Sequence, residues 1–472
     1  KVKKLIYFDL HEAILAVFAL TYFIYFTLAS FLRYENYYTG RFDLGNMAQT
    51  VWNTIHGNFF MLTNPNGTEQ VSRLAFHADF ILILLSPFYL IWEDPRMLLL
   101  IQTAVLTFGG IFVYFLSKEI LKNKTVSLAL ALCFFLNPAV NYTNLFDFHA
   151  VSLATTFFLA AFYFIQKKNY VLVLIFLALA GITKEQVWLI NALIGLYLVL
   201  IHKQKLLGVF IFAISSLIFY FLIWIIIPNS LGAEHFALEF YSDFGSSPAD
   251  VIKGIATHPV QTIQTLLLPD RIGYMKQLFM PLGYMSFLAP VFLIFASPDL
   301  GINHLSNFPP MHQIYYQYSA TVTPFIFLST IYGIKFVKSK IPDIPYPVFA
   351  VVLILLTLIS AYDFGPLPFA RKPNMDMFNK PLSNKMQVDN YIKMIPPGES
   401  ISATNNLGSH LSHRRNIYVV PQGIGKADRV MFLMRGSSTE AEEKILTEME
   451  LDPNYFKIRE ENNFYVFKRF KP

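Results

Sequence analysis

The run LLGVFIFAISSLIFYFLIWIII, Leu206–Ile227, decides how this chain folds. Its 22 residues carry no charge, and a helix needs roughly 20 apolar residues to cross a bilayer. Working outward, the two flanks differ. Lys203 and Lys205 stand before the run, and a long acidic, aromatic, His-containing connector, Pro228–Arg271, follows it. The same alternation recurs along the chain. Short basic connectors carry Lys118, Lys122 and Lys124, then Lys167 and Lys168, then Lys335, Lys338 and Lys340. The other kind comprises Arg33–Asp79, Asn141–His149, Thr183–Gln186 and Pro298–Gln317. Basic connectors mark the cytoplasmic side of a membrane protein. The unusual polar residues therefore gather on the outer side, as in an enzyme whose membrane-embedded site faces outward.

Composition agrees. The 472 residues are 54% hydrophobic and 14% charged, with a mean hydropathy of +0.45; an ordinary soluble chain carries about 25% charge. The basic connectors account for the formal charge of +6, and no nucleic-acid-binding signature accompanies it. Cys133 stands alone in an apolar run, so there is no disulfide framework. Lys1, Lys3 and Lys4 precede the first apolar segment without a small-residue cleavage site after it, which reads as a retained first helix with its N-terminus inside.

The expected fold is mainly α, a polytopic transmembrane helix bundle over residues 1–362, followed by a small soluble α/β domain over 363–472 on the outer face. The expected spans are His11–Leu32, Met97–Ser117, Thr125–Val140, Ala150–Ile165, Asn169–Ile182, Val187–Ile201, Leu206–Ile227, Ala320–Ile334 and Tyr346–Tyr362. Phe80–Trp92 is short and contains Pro87, so it reads as a re-entrant or interfacial helix. In Lys276–Ala296 the breaks at Pro281, Gly283 and Pro290 suggest a re-entrant pair. After Asp363, helices are expected over Lys385–Met394 and Thr439–Glu450. Strands are expected over Ser400–Ala403, Ile417–Val420 and Arg429–Leu433, with a hairpin of Phe456–Arg459 and Phe464–Lys468.

Four outer connectors carry candidate chemistry. Asp43 precedes an amphipathic pattern, Leu44, Met47, Val51 and Ile55, that reads as a helix lying in the interface. Asp43 either caps that helix or acts on substrate. Asp147 and His149 are spaced to share a metal ion or a proton, or to cap helix ends; ionisable groups at membrane depth are costly and usually functional. His77 and Asp79 repeat this chemistry. Lys184 and Glu185 lie in a turn between two short spans, which puts them below the membrane surface, either as a structural pair or with Lys184 holding an anionic phosphate. His312, Tyr315, Gln317 and Tyr318 offer stacking faces and hydrogen bonds of the kind sugars need, or form an aromatic belt. The chain has no phosphate-binding glycine loop, metalloprotease motif or serine nucleophile elbow.

The order of these pieces resembles the GT-C superfamily of membrane glycosyltransferases, which take sugars from polyprenyl-phosphate carriers. More closely, Phe42-Asp43-Leu44-Gly45 with Gln49 and Trp52, then Asp147-Phe148-His149, Lys184-Glu185, Tyr318-Ser319-Ala320 and Ser402–Arg415 resemble a family of predicted prokaryotic membrane proteins known as domain of unknown function 2079. The GT-C resemblance implies inverting transfer of a sugar from a polyprenyl-phosphate donor in the bilayer to an acceptor on the outer face. It implies Asp43 as the acceptor's base with Asp147 assisting. Lys184, Arg271 and Arg41 would be at the donor phosphate. Glu185, His77, Asp79, His312, Tyr315, Gln317 and Tyr318 would be at the substrate. A divalent ion, manganese or magnesium, held by Asp43, Asp147 and His149, stays open because His149 departs from the clustered acids of metal-dependent members. The rival readings are a secondary transporter using Asp147, His149, Lys184 and Glu185 as its path, which lacks the expected pseudo-symmetric halves, and a non-catalytic scaffold.

Overall fold

The computed structural model describes residues 9–232, 236–436 and 438–470. Leu206–Ile227 lies inside a 26-residue apolar helix, Lys205–Ser230, that contains a π turn at Leu222–Ile226. Its length is about 39 Å at 1.5 Å per residue, against a hydrocarbon core of about 30 Å. Leu10–Glu35, Arg96–Leu121 and Tyr346–Phe364 are also long and apolar enough to cross. The expected span Thr125–Val140 is a broken one: Lys124–Leu136 and Pro138–Leu145 meet at 44°, where Asn137 caps the second helix through the N–H groups of Ala139 and Val140. The chain is thus a multi-pass membrane protein.

Ala154–Gln166, Tyr170–Gly181 and Val187–Leu200 are shorter apolar helices. The last two, of 12 and 14 residues, reach only about 18 and 21 Å, so neither crosses alone. The turn between them is enclosed, with Thr183 and Glu185 buried. Gly195 on Val187–Leu200 and Gly208 on Lys205–Phe221 let those two helices touch: a Cβ on Gly208 would sit 2.6 Å from the Gly195 carbonyl. Small residues permit such contact where no hydrophobic effect drives helices together. Phe134, Phe158, Phe162, Phe325 and Phe327 fill the bundle core. The helix expected from Ala320 starts at Thr323, with Pro324 in its first turn, and runs to Lys340.

Two segments avoid a regular crossing. Ile81–Leu85 and a 3-10 turn, Ser86–Leu90, present Leu84, Phe88, Leu90 and Ile91 outward. Residues 276–296 are the end of the helix Pro269–Phe279 followed by three 3-10 turns, Met280–Leu282, Met285–Leu288 and Pro290–Phe295. Carbonyls of these turns also accept from hydroxyls of neighbouring helices. Ser329 Oγ donates to Ser286 O and Ala289 O, each at 2.7 Å. Thr357 Oγ1 donates to Pro281 O at 2.7 Å. Irregular backbone within a membrane survives where protein satisfies it in this way.

The first long loop, after Leu10–Glu35, contains a short hairpin the sequence did not suggest, β1 (Met61–Thr63) with β2 (Gln70–Ser72). The C-terminal domain has β3 (Ile401–Ala403), β4 (Ile417–Val419), β5 (Arg429–Leu433), β6 (Tyr455–Glu461) and β7 (Phe464–Arg469) in the order β4-β3-β5-β7-β6. β3 pairs in parallel with β4 and β5, and β7 pairs antiparallel with β5 and β6. Lys385–Met394 and Glu440–Glu450 are helical, the latter opened by a capping box of Thr439 and Glu442.

The amphipathic helix after Asp43, Asn46–Ile55, does not lie on a membrane surface as expected. Its polar residues Asn46, Gln49, Thr50 and Asn53 are buried along with Met47 and Val51. The reason is that the hairpin and the C-terminal domain cover its polar face. Gln49 Nε2 donates to Thr63 Oγ1 and to the carbonyls of Arg414 and Arg415 at 2.9–3.0 Å. The His410 ring is stacked between Tyr34 and Tyr37, with centroids 4.0 and 3.9 Å away.

Candidate active site

Asp43 sits in a π turn, Arg41–Gly45, closed by the Gly45 N–H on Gly40 O at 2.9 Å. Single π turns inside helices are frequent at functional sites. The Asp43 carboxylate does not cap the helix. Its Oδ1 lies 3.1 Å from His149 Nε2, and about a third of the side chain is open. His149 is fixed from behind: its N–H donates to Gln102 Oε1 at 2.9 Å and its ring stacks on Phe146. Its Nδ1 is buried without a partner among the described residues.

Both residues open into a cavity of about 340 Å3, which Arg73, His77, Asp79, Lys184, Gln317 and Tyr318 also line. Arg73 and Asp79 form a buried bidentate pair, Nε to Oδ1 at 3.0 Å and Nη2 to Oδ2 at 2.7 Å. Lys184 is half-buried. Its Nζ lies 6.0 Å from the Tyr318 ring centre, and no salt bridge engages it among the described residues. Glu185 does not line the cavity. It accepts from the Ala78 N–H at 3.0 Å and pairs with His77 Nδ1 at 3.0 Å, tying the first loop to the enclosed turn. Burial lowers the His77 imidazole below its ordinary value, against the pull of Glu185.

The structure therefore gathers Asp43, His149, His77, Asp79, Lys184, Gln317 and Tyr318 in one place, and puts other candidates elsewhere. Asp147 turns away from the cavity at φ 28°. Its Oδ2 accepts the Gly40 N–H at 2.9 Å, and its Oδ1 is 3.6 Å from Arg33. Burial pushes this carboxyl up to about 6, with Arg33 opposing. The three expected metal donors Asp43, Asp147 and His149 consequently do not converge, and the described residues hold no group of three or more metal-ligating side chains. Arg41 is fully buried behind the turn, spent on Asn46, Gln49 and the Thr63 carbonyl, and burial lowers its guanidinium to about 9. Arg271 and His312 form a separate cluster, joined at 2.8 Å and held by the carbonyls of His304 and Ser306. Tyr315 packs on Tyr142 and Phe146 behind His149. With Asp147 and Glu185 out of the cavity, the residues of a transporter path do not line one passage.

Two features were not read from sequence. Arg73 adds a second cation to the cavity wall, and its signal was an arginine six residues before Asp79, flanking His77. Phe240 and Phe308, stacked at 4.5 Å, close one side; nothing local to either marks the pairing.

Comparison with known proteins bears on family. Residues 33–462 match the family described as Predicted membrane protein (DUF2079). Among solved structures, the chain is similar to the archaeal oligosaccharyltransferase AglB from Archaeoglobus fulgidus in complex with an inhibitory peptide and a dolichol-phosphate. That match has 12% identity and a TM-score of 0.40, covering 95% of this chain and 74% of that one. The Archaeoglobus fulgidus oligosaccharyltransferase in complex with Zn and sulfate matches at 12% identity and a TM-score of 0.43, covering 94% and 72%. No curated protein sequence matches. With nearly the whole chain inside the family match, this protein belongs to the DUF2079 family of predicted membrane proteins.

Proposed function

We propose that this protein is an integral membrane glycosyltransferase that moves a sugar from a polyprenyl-phosphate donor to an acceptor on the outer face of the membrane. The observation that carries the reading is the pairing of Asp43, held by His149, with Lys184 across one cavity. A lipid-linked sugar has its chain in the bilayer and its phosphate at the interface. Lys184, on the turn below two short helices, is placed to meet that phosphate from within, and Tyr318 beside it offers a stacking face.

Asp43 is the base. Its carboxylate takes the proton of the acceptor hydroxyl, which requires an approach of about 3 Å. The freed oxygen attacks the anomeric carbon from the face opposite the phosphate. The bond from that carbon to the phosphate oxygen breaks, its electron pair leaves with the phosphate, and the configuration inverts. Lys184, with Arg73 nearby, meets the charge that develops on the leaving group; such fixed charges act strongly in a site shielded from water. His149 orients the Asp43 carboxylate. The described residues do not form a three-donor metal site. The test is transfer by the full chain in liposomes, using radiolabelled polyprenyl-phosphate hexoses and a membrane extract as acceptor. Asp43→Asn should lower transfer by about a hundredfold or more, the usual worth of a general base. Wild-type protein that transfers from no donor in the panel, or Asp43→Asn at the wild-type rate, overturns the reading.

A further inference from the structure

The turn bearing Asp43 begins a helix, and the first N–H groups of a helix have no partner within it. Here three consecutive ones are taken by side chains from distant parts of the chain. The Gly40 N–H goes to Asp147 Oδ2 at 2.9 Å. The Arg41 and Phe42 N–H groups both go to Asn405 Oδ1, at 2.8 and 3.2 Å. Only Thr404 stands between β3 of the C-terminal domain and Asn405, whose neighbours on both sides are held there. Thr404 N donates to Met431 O at 3.1 Å. Asn406 Nδ2 donates to Leu433 O at 2.9 Å, and Leu433 N donates to Thr404 Oγ1 at 3.2 Å. The contact is close throughout. A Cβ on Gly408 would lie 2.2 Å from Arg41 Cβ, and one on Gly40 would lie 2.8 Å from Asn405 Nδ2. Thr39 Oγ1 and Ser409 Oγ meet at 2.7 Å alongside.

We propose that Asn405 is a positioning residue for Asp43: the C-terminal domain supplies the cap that fixes the turn carrying this acid, so the site is complete only when the domain is docked. The proposal rests on the reading of Asp43 as the base. Asn405 does not itself line the cavity; it acts through the backbone of Arg41 and of Phe42, which does. Asp147 grips the same turn from the opposite side, through Gly40.

The consequence is measurable in two independent ways on the full chain in nanodiscs. Hydrogen–deuterium exchange on peptides spanning 38–46 reads the two captured amides directly, and transfer from radiolabelled polyprenyl-phosphate hexoses reads the acid. In Asn405→Ala, exchange over 38–46 should quicken at least tenfold while β5 and β7 stay protected. Transfer should fall at least tenfold in kcat with the donor KM unchanged, because Lys184 is untouched. Asn405→Asp keeps an oxygen that accepts both N–H groups and should restore both readouts. Gly408→Ala pushes on Arg41 from the same domain with Asn405 intact, and should also quicken exchange over 38–46. The proposal falls if Asn405→Ala leaves exchange over 38–46 at the wild-type rate, or if a deprotected turn transfers as fast as wild type. If wild-type protein transfers nothing, the base reading of Asp43 fails, while exchange alone still decides whether Asn405 holds the turn.

Discussion

Acid should loosen the contact between the C-terminal domain and the first long loop. His410 stacks between Tyr34 and Tyr37, and His413 packs against Trp52 and Tyr89. Burial holds each imidazole down to about 4, outweighing the acids Asp389 and Asp94 near His410 and Glu93 and Asp94 near His413. An undocked histidine titrates near 6.5. The folded value is thus the lower one, so the docked state favours neutral rings. Their stabilisation is complete above 6.5 and drains away as pH falls toward 4. Between pH 7.5 and 5.0 each ring accounts for roughly 2 kcal/mol of that loss. Two rings together give about 4 kcal/mol, on the order of a thousandfold in the docking equilibrium. Hydrogen exchange over 405–416, corrected for the intrinsic effect of pH, reads the docking. The double variant His410→Phe/His413→Phe keeps flat rings without a titrating proton and should lose most of the response. A wild-type protein whose protection is flat across this range, or a double variant that loosens as much as wild type, would refute the reasoning.

Other perturbations test other joints. Arg73→Ala leaves Asp79 buried and unpaired, and should cost about 3–5 kcal/mol in thermal or denaturant unfolding; removing both charges as Arg73→Met/Asp79→Leu should recover much of it. Lys184→Ala should weaken binding of a polyprenyl phosphate at least about tenfold, the scale of one hydrogen bond to a charged group, as read by titration in nanodiscs. Ser329→Ala removes one of two bonds to each of the carbonyls of Ser286 and Ala289, which keep the N–H groups of Ala289 and Phe292, and should cost about 0.5–1.5 kcal/mol, measured by thermal unfolding in detergent.

Sequence patterning reached most of the architecture where a single physical signal dominates. An uncharged run such as Leu206–Ile227 has one plausible home, and alternation with turn residues located β3 to β7 to within about a residue at most boundaries. β3 and β4 are largely apolar and wholly buried, whereas β1 and β2, Met-Leu-Thr and Gln-Val-Ser, carry no such apolar signal, so the hairpin was missed. The helix Asn46–Ile55 was patterned as amphipathic, but its polar face is spent on carbonyls of residues 414 and 415, a partner no local window contains. Direction was the hardest thing to read at the site. Asp147 and His149 are two residues apart, yet the left-handed backbone at Asp147 sends its carboxylate back toward Gly40 while His149 faces Asp43. Arg41, two residues before Asp43, faces inward for a similar reason: residues two apart on a helix do not share a face.

The grip of Asn405 on Arg41 joins residues 364 positions apart. At 5–20 residues per second, a ribosome takes roughly 20 to 70 seconds to cover that distance. Asp43 emerges early, and the helices that follow it enter the membrane while its turn still lacks a cap. A nascent chain, or one cut short before the last hundred residues, therefore lacks this cap on the Asp43 turn, and the turn takes its final form only when synthesis is nearly over.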